Sequence, residues 1–220
     1  RRKGETAPLL PKNNFEEDKH EKKIVIGFSR CDDGADHGAG AFAAEGDAGS
    51  STAVAKIGDA GYATLAAAVA AAKNGDTVTL VKDTDQGFTV PAGLSITFDV
   101  NGKTLERTGQ DIQNNGTLTI RDNTKQGKII ANGGNVGIAI GVGNNSVTTI
   151  EYANVEAVEG AVITGQATGA TITIEDGVFS TSDNAVIAGN GTKREGNANV
   201  ITINGGTFTG NIKSAGYIAC

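Results

Sequence analysis

The chain has 220 residues, 32 of them Gly, with three Pro, no Met or Trp and a formal charge of −6 at pH 7. That is one domain of ordinary size, and its second half is dominated by Thr, Ile, Val, Asn and Gly, which suits short strands and tight turns. It carries no basic patch with interleaved aromatics, which argues against a nucleic-acid partner, and no apolar run of about 18 residues that would span a membrane.

Residues 1–43 lack apolar periodicity and read as unstructured. Ala41-Phe42-Ala43 followed by Ala44-Glu45 has the form of a signal-peptidase site, but the apolar stretch that should precede it is missing. Residues 20–37 can be encoded so that a one-base shift reads MKKKLLLVFLAAMMVLTM, a basic start and an apolar run. The expectation is a mis-framed leader and signal peptide ending near Ala43, and hence an extracellular or cell-surface protein. A gene lacking ATG in the shifted frame would refute it. With this segment set aside no His remains, because His20 and His37 lie in it with Cys31, and Cys220 is the last Cys. No zinc constellation, Ser-His-Asp triad or disulfide framework can then be assembled.

Residues 44–52 form a small-residue linker, and residues 53–85 read as a strand-helix-strand cap. Ala53–Gly58 reads as a strand. The helix is expected over 64–73, with Thr64 as N-cap, Leu65 and Val69 with Tyr62 as its apolar stripe, and Asn74-Gly75 as its stop. Asp76–Lys82 alternates like a strand. An apolar helix face ahead of a stacked core covers the core's open end.

From residue 86 to 220 the chain reads as repeated coils. Thr117-Leu-Thr-Ile120, Val147-Thr-Thr-Ile150, Thr171-Ile-Thr-Ile174 and Val200-Ile-Thr-Ile203 share one pattern, with Leu94-Ser-Ile96 as a looser fifth copy. Their last Ile falls at 96, 120, 150, 174 and 203, spacings of 24, 30, 24 and 29. Such a period with Gly/Asn-rich connections is the mark of a β-solenoid. Each coil adds a Gly corner, an apolar residue (Val155, Phe179, Phe208) and a further strand, with Ala161-Val-Ile163 aligned on Ala185-Val-Ile187. Side-chain period two places Ile inside and Thr outside. Arg121, Glu151, Glu175 and Asn204 fall in one outward column, where Arg121 is expected to pair with Glu151. Gly133-Gly134 and Gly141-Val-Gly143 read as coil corners, lacking the Lys-Ser/Thr of a phosphate loop. Tyr217-Ile-Ala-Cys220 ends inside a coil without a polar cap, so a fragment truncated at its C-terminus, with further domains beyond, is expected.

Several of these segments together resemble a known family. Ala55-Lys-Ile-Gly, Tyr62-Ala-Thr-Leu-Ala-Ala-Ala-Val and Asn74-Gly-Asp-Thr-Val-Thr-Leu-Val-Lys-Asp83 are similar to the cap of pectin-lyase-like right-handed parallel β-helix proteins exported by gut Firmicutes. Phe98-Asp-Val-Asn-Gly-Lys-Thr-Leu105, Asn115-Gly-Thr-Leu-Thr-Ile-Arg-Asp122 and Asn204-Gly-Gly-Thr-Phe208 add to the resemblance, which covers residues 53–220. It implies an all-β, right-handed parallel β-helix and an exported, often multidomain surface protein. It leaves activity open, because the architecture serves lyases, hydrolases and non-catalytic adhesive modules alike.

Two functional classes follow. One is a non-catalytic structural or adhesive module whose Thr/Asn-rich face meets a glycan or a host or cell-surface protein, with no cofactor. The other is a polysaccharide lyase or glycoside hydrolase. Its candidate groups are the carboxylates Asp122, Glu151, Glu175 and Asp176, with Arg121 or Lys128 as nominal bases. Ca²⁺ would enter only through a carboxylate cluster. The missing His and scarce aromatics favour the module. A groove with three or more convergent carboxylates plus Lys or Arg would favour the enzyme, and a flat Thr/Asn wall the module.

Overall fold

In a computed structural model of the chain, the described residues are 52–133, 137–163, 167–189, 199–214 and 218–219. The chain divides into two compact units, Arg1–Ala43 and Ala44–Cys220, and all described residues belong to the second. The leader expected at 1–43 and the expected linker up to Ser51 lie outside them, as does Cys220.

The cap begins with an antiparallel hairpin, β1 (Ala55–Ile57) and β2 (Ala60–Tyr62). Helix α1 (Leu65–Ala71) follows. The Thr64 hydroxyl accepts from Ala67 N at 3.1 Å, the expected N-cap. The helix ends two residues before its expected end at Lys73, because Ala72 is already extended (φ −67°, ψ 146°). Leu65, Ala68 and Val69 form its buried stripe, while Tyr62 belongs to β2 instead. The next strands are β3 (Thr77–Leu80) and β4 (Phe88–Val90). The helix packs on β4 as well as on the hairpin, and Leu65 N donates to the Gln86 amide oxygen at 3.0 Å. Its apolar face thus closes the first end of the stack.

Beyond the cap, each turn visits up to three sheet faces. One turn comprises β5 (Ser95–Asp99), β6 (Thr104–Arg107) and β7 (Ile112–Asn114). The next comprises β8 (Thr117–Arg121), β9 (Lys128–Ala131) and β10 (Ile138–Val142), and then β11 (Val147–Ile150), β12 (Asn154–Ala157) and β13 (Gly160–Ile163). Then come β14 (Thr171–Ile174) with the long β15 (Val178–Gly189), β16 (Val200–Ile203) with β17 (Thr207–Ser214), and β18 (Ile218–Ala219). The first face stacks β3, β5, β8, β11, β14, β16 and β18 in parallel. The second stacks β6, β9, β12 and the start of β15; the third stacks β4, β7, β10, β13 and the end of β15. The protein is a parallel β-helix, as the repeats and the resemblance led one to expect.

The interior is built from in-register columns. Val78, Phe98, Ile120, Ile150 and Ile174 align on the first face, Leu105, Ile129, Val155 and Phe179 on the second, and Phe88, Ile112, Ile140 and Val162 on the third. All are buried. Phe179 and Phe208 stack at 5.0 Å between centroids. Each such side chain withdrawn from water contributes about 1.5–3 kcal/mol, and neighbouring turns share the burial.

Three alignments differ from the sequence reading. Ile96 pairs with Leu118, so Phe98, not Ile96, is the partner of Ile120. A slip of two residues keeps the same side chains inside, and Phe98 then meets Phe88 at 4.8 Å in the interior. Val162 pairs with Ile187 rather than Val186, a shift of one within the irregular β15. Gly141 lies inside β10 rather than at a corner, and the Gln110 and Gln113 side chains occupy the space its Cβ would need.

Candidate functional site

The outward side of the first face is a wall of hydroxyls. Thr77, Thr97, Thr119, Thr149, Thr173 and Thr202 occupy one register position in consecutive turns. All are half-buried, at the strand spacing of about 4.8 Å. Beside them Ser95, Thr117, Val147, Thr171 and Val200 form a second column, in which Val147 and Val200 are 39% and 49% exposed. Both columns are uncharged. The pairings on this face run without the register shifts seen between β15 and β17, so the wall is regular along its length.

The structure gives most of the six groups singled out as candidate catalytic residues partners of their own. Arg121 Nε donates to Asp99 Oδ2 at 3.0 Å, in the preceding turn, not to Glu151. Asp99 is the near partner because β5 pairs with β8 and sets it opposite Arg121. Asp122 is 1% exposed. Its Oδ1 accepts from Gly102 N, Thr124 N and the Thr124 hydroxyl, and its Oδ2 accepts from Gly127 N at 2.6 Å. Burial pushes its pKa up, but the Thr124 hydroxyl and these N–H groups hold it below the usual 3.8. Such a group is a corner staple rather than a proton donor: it ties the left-handed turn at Asn101 (φ 52°) and Gly102 (φ 70°) to the following turn of chain.

Asp176 is held by Gly177 N at 2.8 Å and by Lys125 Nζ at 3.1 Å. The Gly177 N–H and then Lys125 lower its pKa. Lys125 also lies 4.3 Å from the centroid of the Tyr152 ring. Glu175 Oε2 accepts from Asn204 at 2.9 Å, in the next turn, and Glu151 is exposed in the same column. Lys128, the other nominal base, pairs with Glu156 at 2.7 Å. Among the described residues, no group of three or more His, Cys, Asp or Glu is placed to hold a metal ion, and no helix is long and apolar enough to cross a membrane.

A cleft that the sequence reading did not single out opens between the cap and the second face. Its larger lobe, about 660 Å³, is lined by Val54, Lys82, Asp83, Asp85, Thr104 and Glu106 among others. A smaller lobe of about 430 Å³ is lined by Asp85, Glu106, Arg107, Thr108 and Asn132. Residues 82–87 make only a single bridge to the second face, Thr84 to Leu105, so the turn splays from β6 and leaves the space. The bridge between Thr84 and Leu105 sets Asp85 beside Glu106. Asp111 is 1% exposed, with neither carboxylate oxygen hydrogen-bonded. Burial raises its pKa to about 8 against the opposing pull of Arg107.

No family model, curated protein or solved structure matches the chain.

Proposed function

We propose that this β-helix is a non-catalytic structural or adhesive module of an exported bacterial surface protein, of pectin-lyase-like architecture, that presents its Thr wall to a glycan or a protein. The observation that carries the reading is the column of six in-register threonines. A rigid, uncharged row of hydroxyls and methyls offers repeated donors, acceptors and small apolar contacts at one spacing, which suits an extended partner. The roles of Arg121, Asp122, Glu175 and Asp176 in joining turns or holding corners support it further.

A carbohydrate-active enzyme is the second reading. The cleft favours it, since Asp83, Asp85 and Glu106 line it together with Lys82 and Arg107. A glycan array and a polysaccharide-cleavage assay on the full chain separate the two. The module predicts retention without cleavage; release of reducing ends or unsaturated products would overturn it.

A further inference from the structure

The outward pattern of the first face reads nearly the same from either end. Strand β11 is the middle one of the seven parallel strands that build this face. One turn to either side, β8 presents Thr117 and Thr119 where β14 presents Thr171 and Thr173. Beside these two uncharged columns runs a third, with Asp99, Arg121, Glu151, Glu175 and Asn204 in successive turns. Its members next to β11 carry opposite charges, Arg121 on one side and Glu175 on the other. The residues of the middle turn are Val147, which is 39% exposed, Thr149 and the exposed Glu151.

A surface with this pattern complements a second copy of itself. Set face to face about a two-fold axis that runs along β11, two walls keep their columns aligned, and β8 of one copy lies opposite β14 of the other. Thr119 then meets Thr173, and Arg121 meets Glu175, once on each side of the axis. The two Val147 side chains meet on the axis. Arg121 gives its Nε to Asp99, but its side chain stays partly exposed and a guanidinium carries further N–H donors. Both walls also share one strand spacing, about 4.8 Å. Their contacts therefore stay in step along the whole stack, whereas a partner of another repeat drifts out of step.

We propose that the Thr wall pairs face to face with the wall of a second copy of this chain, in a symmetric dimer centred on β11. The proposal rests on the reading of the wall as a binding face and names its partner. The contact is isologous, with the same patch used on both sides. Threonine methyls and the exposed Val147 fill the space between the sheets, and the two Arg121–Glu175 pairs fix the register. Glu151 meets its own copy near the axis, and this like-charge contact opposes the pairing. The patch measures about 30 by 13 Å at the spacings of a parallel sheet, which places the dimer among weak, reversible contacts.

Sedimentation equilibrium of the full chain, at concentrations up to about 1 mM, tests this. A reversible monomer–dimer equilibrium is expected. Val147→Lys is expected to weaken it about tenfold or more, and Glu151→Gln to tighten it. Arg121→Glu alone and Glu175→Lys alone each set like charges opposite one another, and each is expected to dimerise about tenfold or more weakly than the parent. An equimolar mixture of these two variants restores opposite charges at both pairs and is expected to recover the dimer, which a folding defect would not do. Unchanged circular dichroism of Val147→Lys and Glu175→Lys shows that each folds. A monomeric parent, a dimer indifferent to both of these variants, or a mixture no tighter than the single variants would each overturn the proposal. A monomeric parent that retains a glycan or a foreign protein would overturn self-pairing alone and leave the wall as the binding face.

Discussion

Arg121 Nε reaches back one turn to Asp99 Oδ2 at 3.0 Å, and Asp99 Oδ1 accepts from Asn101 N at 3.0 Å on the turn that leaves β5. The pair therefore joins two successive turns and the corner between them. The Asp99 side chain is 11% exposed and that of Arg121 34%, so removal of the guanidinium leaves a largely desolvated carboxylate. Arg121→Ala is expected to destabilise by about 1–3 kcal/mol in urea unfolding. A cycle with Asp99→Ala and the double variant should give a coupling of about 0.5–2 kcal/mol, and Glu151→Ala should show no coupling to Arg121.

Asp122 governs the acid limb of stability. Its folded pKa lies below the ordinary 3.8, so its contribution is fully present above that value and is lost as pH falls through the folded pKa. Asp122→Ala is expected to destabilise by about 3 kcal/mol at pH 7. The deficit should shrink as pH falls below 3.8 and the parent carboxylate protonates. A deficit independent of pH would contradict the staple role.

Asp111 acts with the opposite sign. Its folded pKa is raised to about 8 from 3.8, so the folded chain keeps a proton that the unfolded chain releases. Its effect is absent below about pH 4, and stability falls as pH rises from there to about 8 and is then level. Asp111→Asn keeps the shape and removes the titration. It is expected to flatten this part of the profile and to stabilise more at pH 8 than at pH 4.5, as read from urea midpoints.

Thr148 is the polar member of the inward columns of the first face among the described residues, and Asn114, at the end of β7 on the third face, meets it. Thr148 stands in register between Leu118 and Ile172, and Asn114 Nδ2 donates to its hydroxyl at 2.8 Å and to Val147 O at 2.9 Å. Asn114 Oδ1 also accepts from Gly116 N. Asn114→Ala should cost about 2–4 kcal/mol through the unsatisfied groups it leaves. Thr148→Val should stay within about 1.5 kcal/mol of the parent, since the amide keeps its bond to Val147 O.

The repeats made the stack legible because Ile and Thr alternate at a period of two, and only one face of that pattern can be buried. Thr64 likewise announced its helix start. The slip at Ile96 escaped because both registers bury the same faces, and only the contact of Phe98 with Phe88 separates them. Arg121 was assigned the wrong acid since column membership gives neighbours on both sides and does not say which turn holds the nearer partner. The cleft was hidden for another reason: it arises where residues 82–87 fail to pair as a full strand, and no local pattern encodes the absence of pairing.

The central claim is that the Thr wall is the binding face. The most direct measurement compares the full chain with Thr119→Lys/Thr173→Lys on a glycan array and on immobilised surface proteins. These side chains are half-buried on the outward side, so circular dichroism and the thermal midpoint should hold nearly constant. The account predicts a retained ligand for the parent and its loss, by at least tenfold in affinity, in the double variant. A ligand that both proteins retain equally would contradict it.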